Sequence, residues 1–383
     1  MFFIIAIIGI YVAFYITYPF IVILHELGHA FAYLLLTKPE HVDVFIGSYG
    51  DTNTRLKFKV GRLRIYIMLS FPFVARGGLC KSSAWEPNYI KEVIILLAGS
   101  VFTFIVACAV GFIAFNTDAH GAVKLFCFAL ILCSFFSLYI NLAPNTMRVA
   151  GLDNDGELLS FTIKYRKVYT AYTQACELLM REDFRAGSEK LIDIVTIYPK
   201  EIKFLRLLIP YLITIRNLSA AENHLLQLMQ LTELSTDEYL NLGYAQSVVG
   251  KGDQAMENYK LALAKDADNL IGLNNLSYEL TLKGDFAESE KLLKKAIALD
   301  PEFAAAYNSL GFLRILTNDL EAGKQLVEKC LGLEPENAYA YKHLGIYFLK
   351  MQNREAALEN FDRALALDDT VDLRPFKHEA EAL

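Results

Sequence analysis

Along the first part of the chain the apolar positions run together; further on they return on a period. From Met1 to Leu36 there is no Lys, Arg or Asp, and Glu26 is the only acid, so the run is long enough to cross a bilayer as one helix. It lacks the basic start of a secretory signal and far exceeds a signal's apolar core, so it reads as a retained span over about residues 2–36. Two further apolar runs follow, about 93–115 and 125–144, and none recurs after Arg148. Between the first two, "RLKFKV" (55–60) and "RLRIYIML" (62–69) alternate polar and apolar residues about Gly61. That alternation predicts a two-stranded hairpin within a β region of about 42–80.

Beyond residue 160 the hydrophobic pattern repeats every 34 residues. Gly243, Ser277, Gly311 and Gly345 each follow a leucine one period apart. Ala255, Ser289, Gly323 and Ala357 form a second small-residue column, and Ala262, Ala296, Cys330 and Ala364 a third. These columns resemble the tetratricopeptide repeat (TPR), in which small residues let two antiparallel helices approach closely and a proline often ends the second, as Pro301 and Pro335 do here. The same phase run backward finds Gly187, Pro199 and Ala221. The pattern predicts two degenerate repeats over 168–235, four clear ones over 236–371, and a capping helix or tail over 372–383. The expected fold is mainly all-α: a three-span membrane core with a small β-hairpin over 1–160, then an α-solenoid of helix pairs over 161–371. Tyr244, Tyr278 and Phe312 fall one period apart, as an aromatic binding stripe or as packing. The lysine and asparagine set with which such repeats grip a peptide's terminal carboxylate is incomplete here.

Charge orients this plan. Eight basic residues lie between Lys38 and Lys81, none in "NTDAHG" (116–121), and Arg148, Lys164, Arg166 and Lys167 follow the third run. Basic residues accumulate on the cytoplasmic side of short loops. We therefore expect a multi-pass cell-membrane protein with its amino terminus outside and its repeats in the cytoplasm. A net charge of −6 argues against nucleic acid as a partner. The six cysteines show no two-residue metal or redox spacing, which suits small buried side chains in a reducing compartment.

One stretch contradicts its surroundings. "ILHELGHAFA" (23–32) places His25, Glu26 and His29 inside an apolar run, where ionisable groups are penalised unless they face a partner or cavity. His-Glu-x-x-His on a helix brings two imidazoles to one face as a metal clamp, with the glutamate beside the first as general base. Zinc suits such ligands, and a catalytic site requires a third protein ligand and an open position for water.

A source for that ligand is "NLAPNTMRVAGLDNDGELL" (141–159), which holds Asn-x-x-Pro and then Asp-Gly. With these residues the chain resembles the site-2 protease family of intramembrane zinc metalloproteases over about residues 1–160. The resemblance implies that Asp155 completes a one-zinc site with His25 and His29, that Glu26 is the catalytic base, and that Asn141 helps hold or polarise the substrate. It also implies a membrane-associated sheet and a Gly-Gly element such as "ARGGLC" (75–80), while "LLAGSVF" (96–102) is similar to a small-residue segment of the family's second core span. The departure is the linker: ten residues separate Pro144 from Asp155, more than the family's usual spacing, and Asp153 competes for the same role. The expected activity is zinc-dependent cleavage of a transmembrane or membrane-adjacent segment of a protein substrate. The repeats would bind a cytosolic protein or peptide partner, and the bilayer itself is a partner. The alternative expectation is a non-catalytic membrane-anchored repeat scaffold with a structural or vestigial metal site.

Overall fold

The computed structural model describes residues 2–54, 56–68, 77–84, 88–143 and 154–382, so Pro144, Arg148 and Asp153 lie outside the described residues. The chain divides into two units, Met1–Arg181 and Glu182–Leu383. Both are built mainly from helices.

In the first unit, α1 (Phe2–Leu36) runs as one helix through Pro19. A strand, β1 (Val42–Ile46), follows directly, then β2 (Leu56–Val60), β3 (Leu63–Ile67) and β4 (Gly78–Ser82). Helices α2 (Tyr89–Phe115), α3 (Gly121–Leu142) and α4 (Asp155–Lys164) complete its core. Segments Tyr15–Leu36, Tyr89–Phe115 and Gly121–Leu142 are each long and apolar enough to cross a membrane. They pack on one another through Ile21, Ala107, Leu130 and Cys133. Asn88 caps α2, its side chain accepting the backbone N–H groups of Ile90 and Lys91, which satisfies donors the first turn leaves open.

The expected two-stranded hairpin is present as β2–β3, turning at Gly61 with φ +59°, but it belongs to a larger sheet. Four strands pair in the order β2-β3-β1-β4, with β1 parallel to β3 and antiparallel to β4. Asp43 and Arg64 face each other across the parallel pair and join by two hydrogen bonds of 2.5 and 2.6 Å. Val42, Val44, Ile46 and Leu63 bury one sheet face against Val22 and Ala30 of α1, so the sheet is fixed to the helix that carries the histidines.

The second unit begins within the first expected repeat, since α5 (Tyr169–Met180) belongs to the first unit and α6 (Phe184–Ile197) to the second. The helix pairs that follow are α7 (Ile202–Thr214) with α8 (Leu218–Met229), α9 (Thr236–Val248) with α10 (Gly252–Lys265), and α11 (Leu270–Lys283) with α12 (Phe286–Leu299). Then come α13 (Ala304–Leu316) with α14 (Leu320–Leu333), α15 (Ala338–Lys350) with α16 (Arg354–Leu367), and α17 (Arg374–Ala382), which packs on α15 and α16.

The period is written in the backbone. Left-handed residues stand at Glu182, Arg216, Gly250, Gly284, Asn318 and Gln352, one per 34 residues, and from Arg216 onward each lies in the turn between paired helices. From Asn217 onward the next backbone N–H of each turn reaches back to the helix it leaves, as Asp285 does to Leu280 at 2.9 Å, the Schellman closure of a helix end. The small columns make room for bulk: a β-carbon at Gly345 would stand 2.3 Å from Phe361 and one at Gly243 2.5 Å from Tyr259. Of the aromatic column, Phe312 is a core residue, stacked between Tyr278 and His343 at 5.8 and 4.2 Å. Packing therefore explains that position.

Candidate metal centre

Helical spacing puts His25 and His29 on one face of α1, their Nε2 atoms 3.1 Å apart. Asp155, 126 residues beyond His29, enters at the first turn of α4 with Oδ2 3.0 Å from His25 Nε2 and 3.2 Å from His29 Nε2. Among the described residues, these three form the cluster of histidine, cysteine and acidic side chains able to hold a metal ion. Zinc bound at about 2.05 Å by tetrahedral ligands sets its donors about 3.3 Å apart, so the observed spacings fit zinc closely.

Three glycines explain how the donors meet. Gly28 and Gly99 face each other where α1 meets α2: a β-carbon on Gly28 would come within 2.6 Å of the Ala98 carbonyl and 2.9 Å of Gly99 Cα. Gly99 also leaves the space beside the imidazoles, since a β-carbon there would lie 2.3 Å from His29 Nε2 and 2.9 Å from His25 Cε1. That is the structural role of "LLAGSVF". Gly156 lets α4 abut the end of α3, where a β-carbon would sit 2.6 Å from the Ala143 carbonyl. Asn154 caps α4 by accepting the Glu157 N–H at 2.7 Å. The cap and the glycine together aim Asp155 at the histidines.

The surrounding contacts tune the donors. His29 Nδ1 donates to the Ile95 carbonyl at 2.7 Å, which leaves its Nε2 lone pair facing Asp155 and the metal position. His25 Nδ1 is buried with no hydrogen-bond partner among the described residues. Burial drives the Asp155 carboxyl pKa upward, but the two imidazoles beside it outweigh burial and hold the group well below the usual carboxylate range. It is therefore an anion ready to ligate.

Glu26 is 7% exposed and lies under β4, where a β-carbon on Gly78 would come within 2.7 Å of its Oε1. Asn141, near the end of α3, donates from Nδ2 to Ser137 Oγ at 3.0 Å. All five predicted site residues line one cavity of about 590 Å³. Tyr49, Glu92 and Ser137 also line it and were not foreseen. Glu92 carried a signal in retrospect, as an acid at the start of an apolar helix; Tyr49 carried none.

Comparisons with known proteins concern the repeats. A family model described as "Tetratricopeptide repeat" matches residues 272–303 and 304–337, the fourth and fifth units of the period. Among solved structures, TTC0263, a thermophilic TPR protein in Thermus thermophilus, is 22% identical, with a TM-score of 0.41 over 48% of this chain and 100% of its own. PilW, described as a widely conserved type IV pilus biogenesis factor, is 18% identical, with a TM-score of 0.42 over 56% of this chain and 97% of its own. MamA from Desulfovibrio magneticus RS-1 is 19% identical, with a TM-score of 0.34 over 45% and 97%. No curated protein matches the chain.

Proposed function

We propose that this chain is a membrane-anchored tetratricopeptide scaffold whose first unit is a zinc endopeptidase acting on transmembrane or membrane-adjacent segments of protein substrates. The observation that carries the reading is the convergence of His25, His29 and Asp155 to within 3.2 Å beside a buried glutamate. An apolar helix has no structural use for three ionisable groups unless something compensates them, and a metal does.

Bound zinc would acidify a coordinated water and polarise the scissile carbonyl. Glu26, buried beside the three donors, would take a proton from a water held there and return it to the leaving amine. Asn141, whose amide donates to Ser137 and which lines the same cavity, orients the substrate carbonyl. The edge strand β4 offers backbone partners to an unwound substrate segment, with Gly78 keeping the approach to Glu26 clear. The amino terminus lies outside and the repeats in the cytoplasm, where they recruit the substrate or a regulator.

A second reading, a non-catalytic anchored scaffold with a structural or vestigial metal site, is favoured by the comparisons, whose family match falls entirely in the repeats. Retention of Glu26 favours the first, because a structural zinc site needs no base and tends to be closed by a fourth protein ligand. Co-expression with a panel of single-span membrane proteins from the same host separates the two. The peptidase yields fragments that vanish with Glu26→Gln while both forms keep zinc. Zinc in both forms with no wild-type-specific fragment anywhere in the panel gives the scaffold.

A further inference from the structure

Arg216 occupies the left-handed turn of the second repeat with φ +55°, where the later repeats carry Gly250, Gly284, Asn318 and Gln352. Its guanidinium reaches out of that turn to a residue 152 positions away, donating to Asp368 Oδ2 at 2.6 Å. Another of its nitrogens donates to the Tyr244 hydroxyl of α9 at 3.3 Å, and Tyr339 of α15 lies near enough to the same guanidinium for each to shift the other's pKa. Residues of the second, third and sixth repeats thus meet around one cation. Beside it opens a cavity of about 680 Å³ lined by residues 214–216 and 365–370.

Stability does not account for an arginine there. An ion pair whose arginine side chain is 39% exposed adds little net stability, and a β-carbon in a left-handed turn subtracts some. One cation flanked by two phenols is, however, a suitable receptor for a carboxylate. Asp368 is preorganised to fill it, since its Oδ1 accepts from Thr370 N at 3.0 Å and from Thr370 Oγ1 at 2.6 Å, leaving Oδ2 for the guanidinium.

We propose that Arg216, Tyr244 and Tyr339 form a carboxylate-binding site that the chain's own Asp368 fills, and that an acidic segment of a protein partner replaces Asp368, freeing the last repeat from the second. The site differs from a clamp for a peptide's terminal carboxylate in its residues and in being occupied from within. Nothing in it depends on the metal centre.

The test is fluorescence anisotropy of fluorescein-labelled hexaglutamate on the full chain in detergent micelles, with hexaglutamine as control. Asp368→Asn keeps the Oδ1 bonds to Thr370 but turns an amide NH2 toward Arg216, vacating the site without dismantling the turn. Its affinity for hexaglutamate should exceed wild type at least tenfold, and Asp368→Asn combined with Arg216→Gln should return it to the hexaglutamine level. Tyr339→Phe in the Asp368→Asn background keeps the ring and should weaken binding several-fold, which covers the case where Arg216→Gln fails to fold. Equal affinity in wild type and Asp368→Asn, binding that persists without Arg216, or no binding by any form would overturn the proposal.

Discussion

The two units use their small residues in opposite ways. In the repeats, Gly243 and Gly345 each make room for the same thing, a large side chain sixteen positions later, Tyr259 or Phe361. In the first unit, Gly28 admits a helix backbone, Gly99 two imidazoles, Gly156 the end of α3 and Gly78 a carboxylate. A repeated use leaves a period, and damage to one copy weakens chiefly one interface. A single use leaves no period, and damage removes the site.

The largest effect is expected at Gly99. Gly99→Ala places a carbon where His29 Nε2 and His25 Cε1 stand, so zinc affinity should fall by about 100-fold or more, read by competition with a calibrated chelator. Unchanged affinity would mean that the imidazoles take their working positions elsewhere. In the repeats, Phe361→Ala empties a fully buried site and should cost about 3–5 kcal/mol, measured by denaturant unfolding, while zinc content stays constant. Loss of zinc in that variant would contradict the separation between the two units.

A smaller effect follows from His343, which is 1% exposed. Burial and the charge of Lys342 push its pKa down to about 3 from an ordinary 6.5. Between those values the unfolded chain binds the additional proton, so the stabilisation is complete above about pH 6.5 and declines as pH falls toward 3. His343→Gln should flatten that part of the profile relative to wild type; parallel profiles would refute the assignment. The smallest effect is at Gly332 in α14, where an added β-carbon meets nothing within 4 Å. Gly332→Ala should stabilise by about 0.5–1 kcal/mol, in contrast to Gly345→Ala, which should destabilise.

The same contrast governs how much could be read from the sequence. The repeats were legible because helix packing imposes small residues at fixed places in each period, and even the degenerate units keep one of those places at Gly187 and Ala221, both buried. The hairpin about Gly61 was legible because its strands are adjacent in sequence. Strands β1 and β4 were not. "VDVFI" is only five residues long, its partner β3 is parallel and its partner β4 lies beyond an intervening segment, so no local turn announces it. The histidine clamp follows from helical spacing alone. Asp155 was legible from the glycine that follows it and from the resemblance that pair carries; the contact that seats it, Gly156 against Ala143, was not, because it leaves no periodic trace. Asp153 falls outside the described residues.

The most direct test of the central claim is the zinc stoichiometry of the purified full chain, comparing wild type with Asp155→Asn and Glu26→Gln. The account predicts one zinc per chain in wild type and in Glu26→Gln, and a loss of at least tenfold in affinity in Asp155→Asn. A wild type that takes up no zinc, or an Asp155→Asn variant that holds it as tightly, would contradict it.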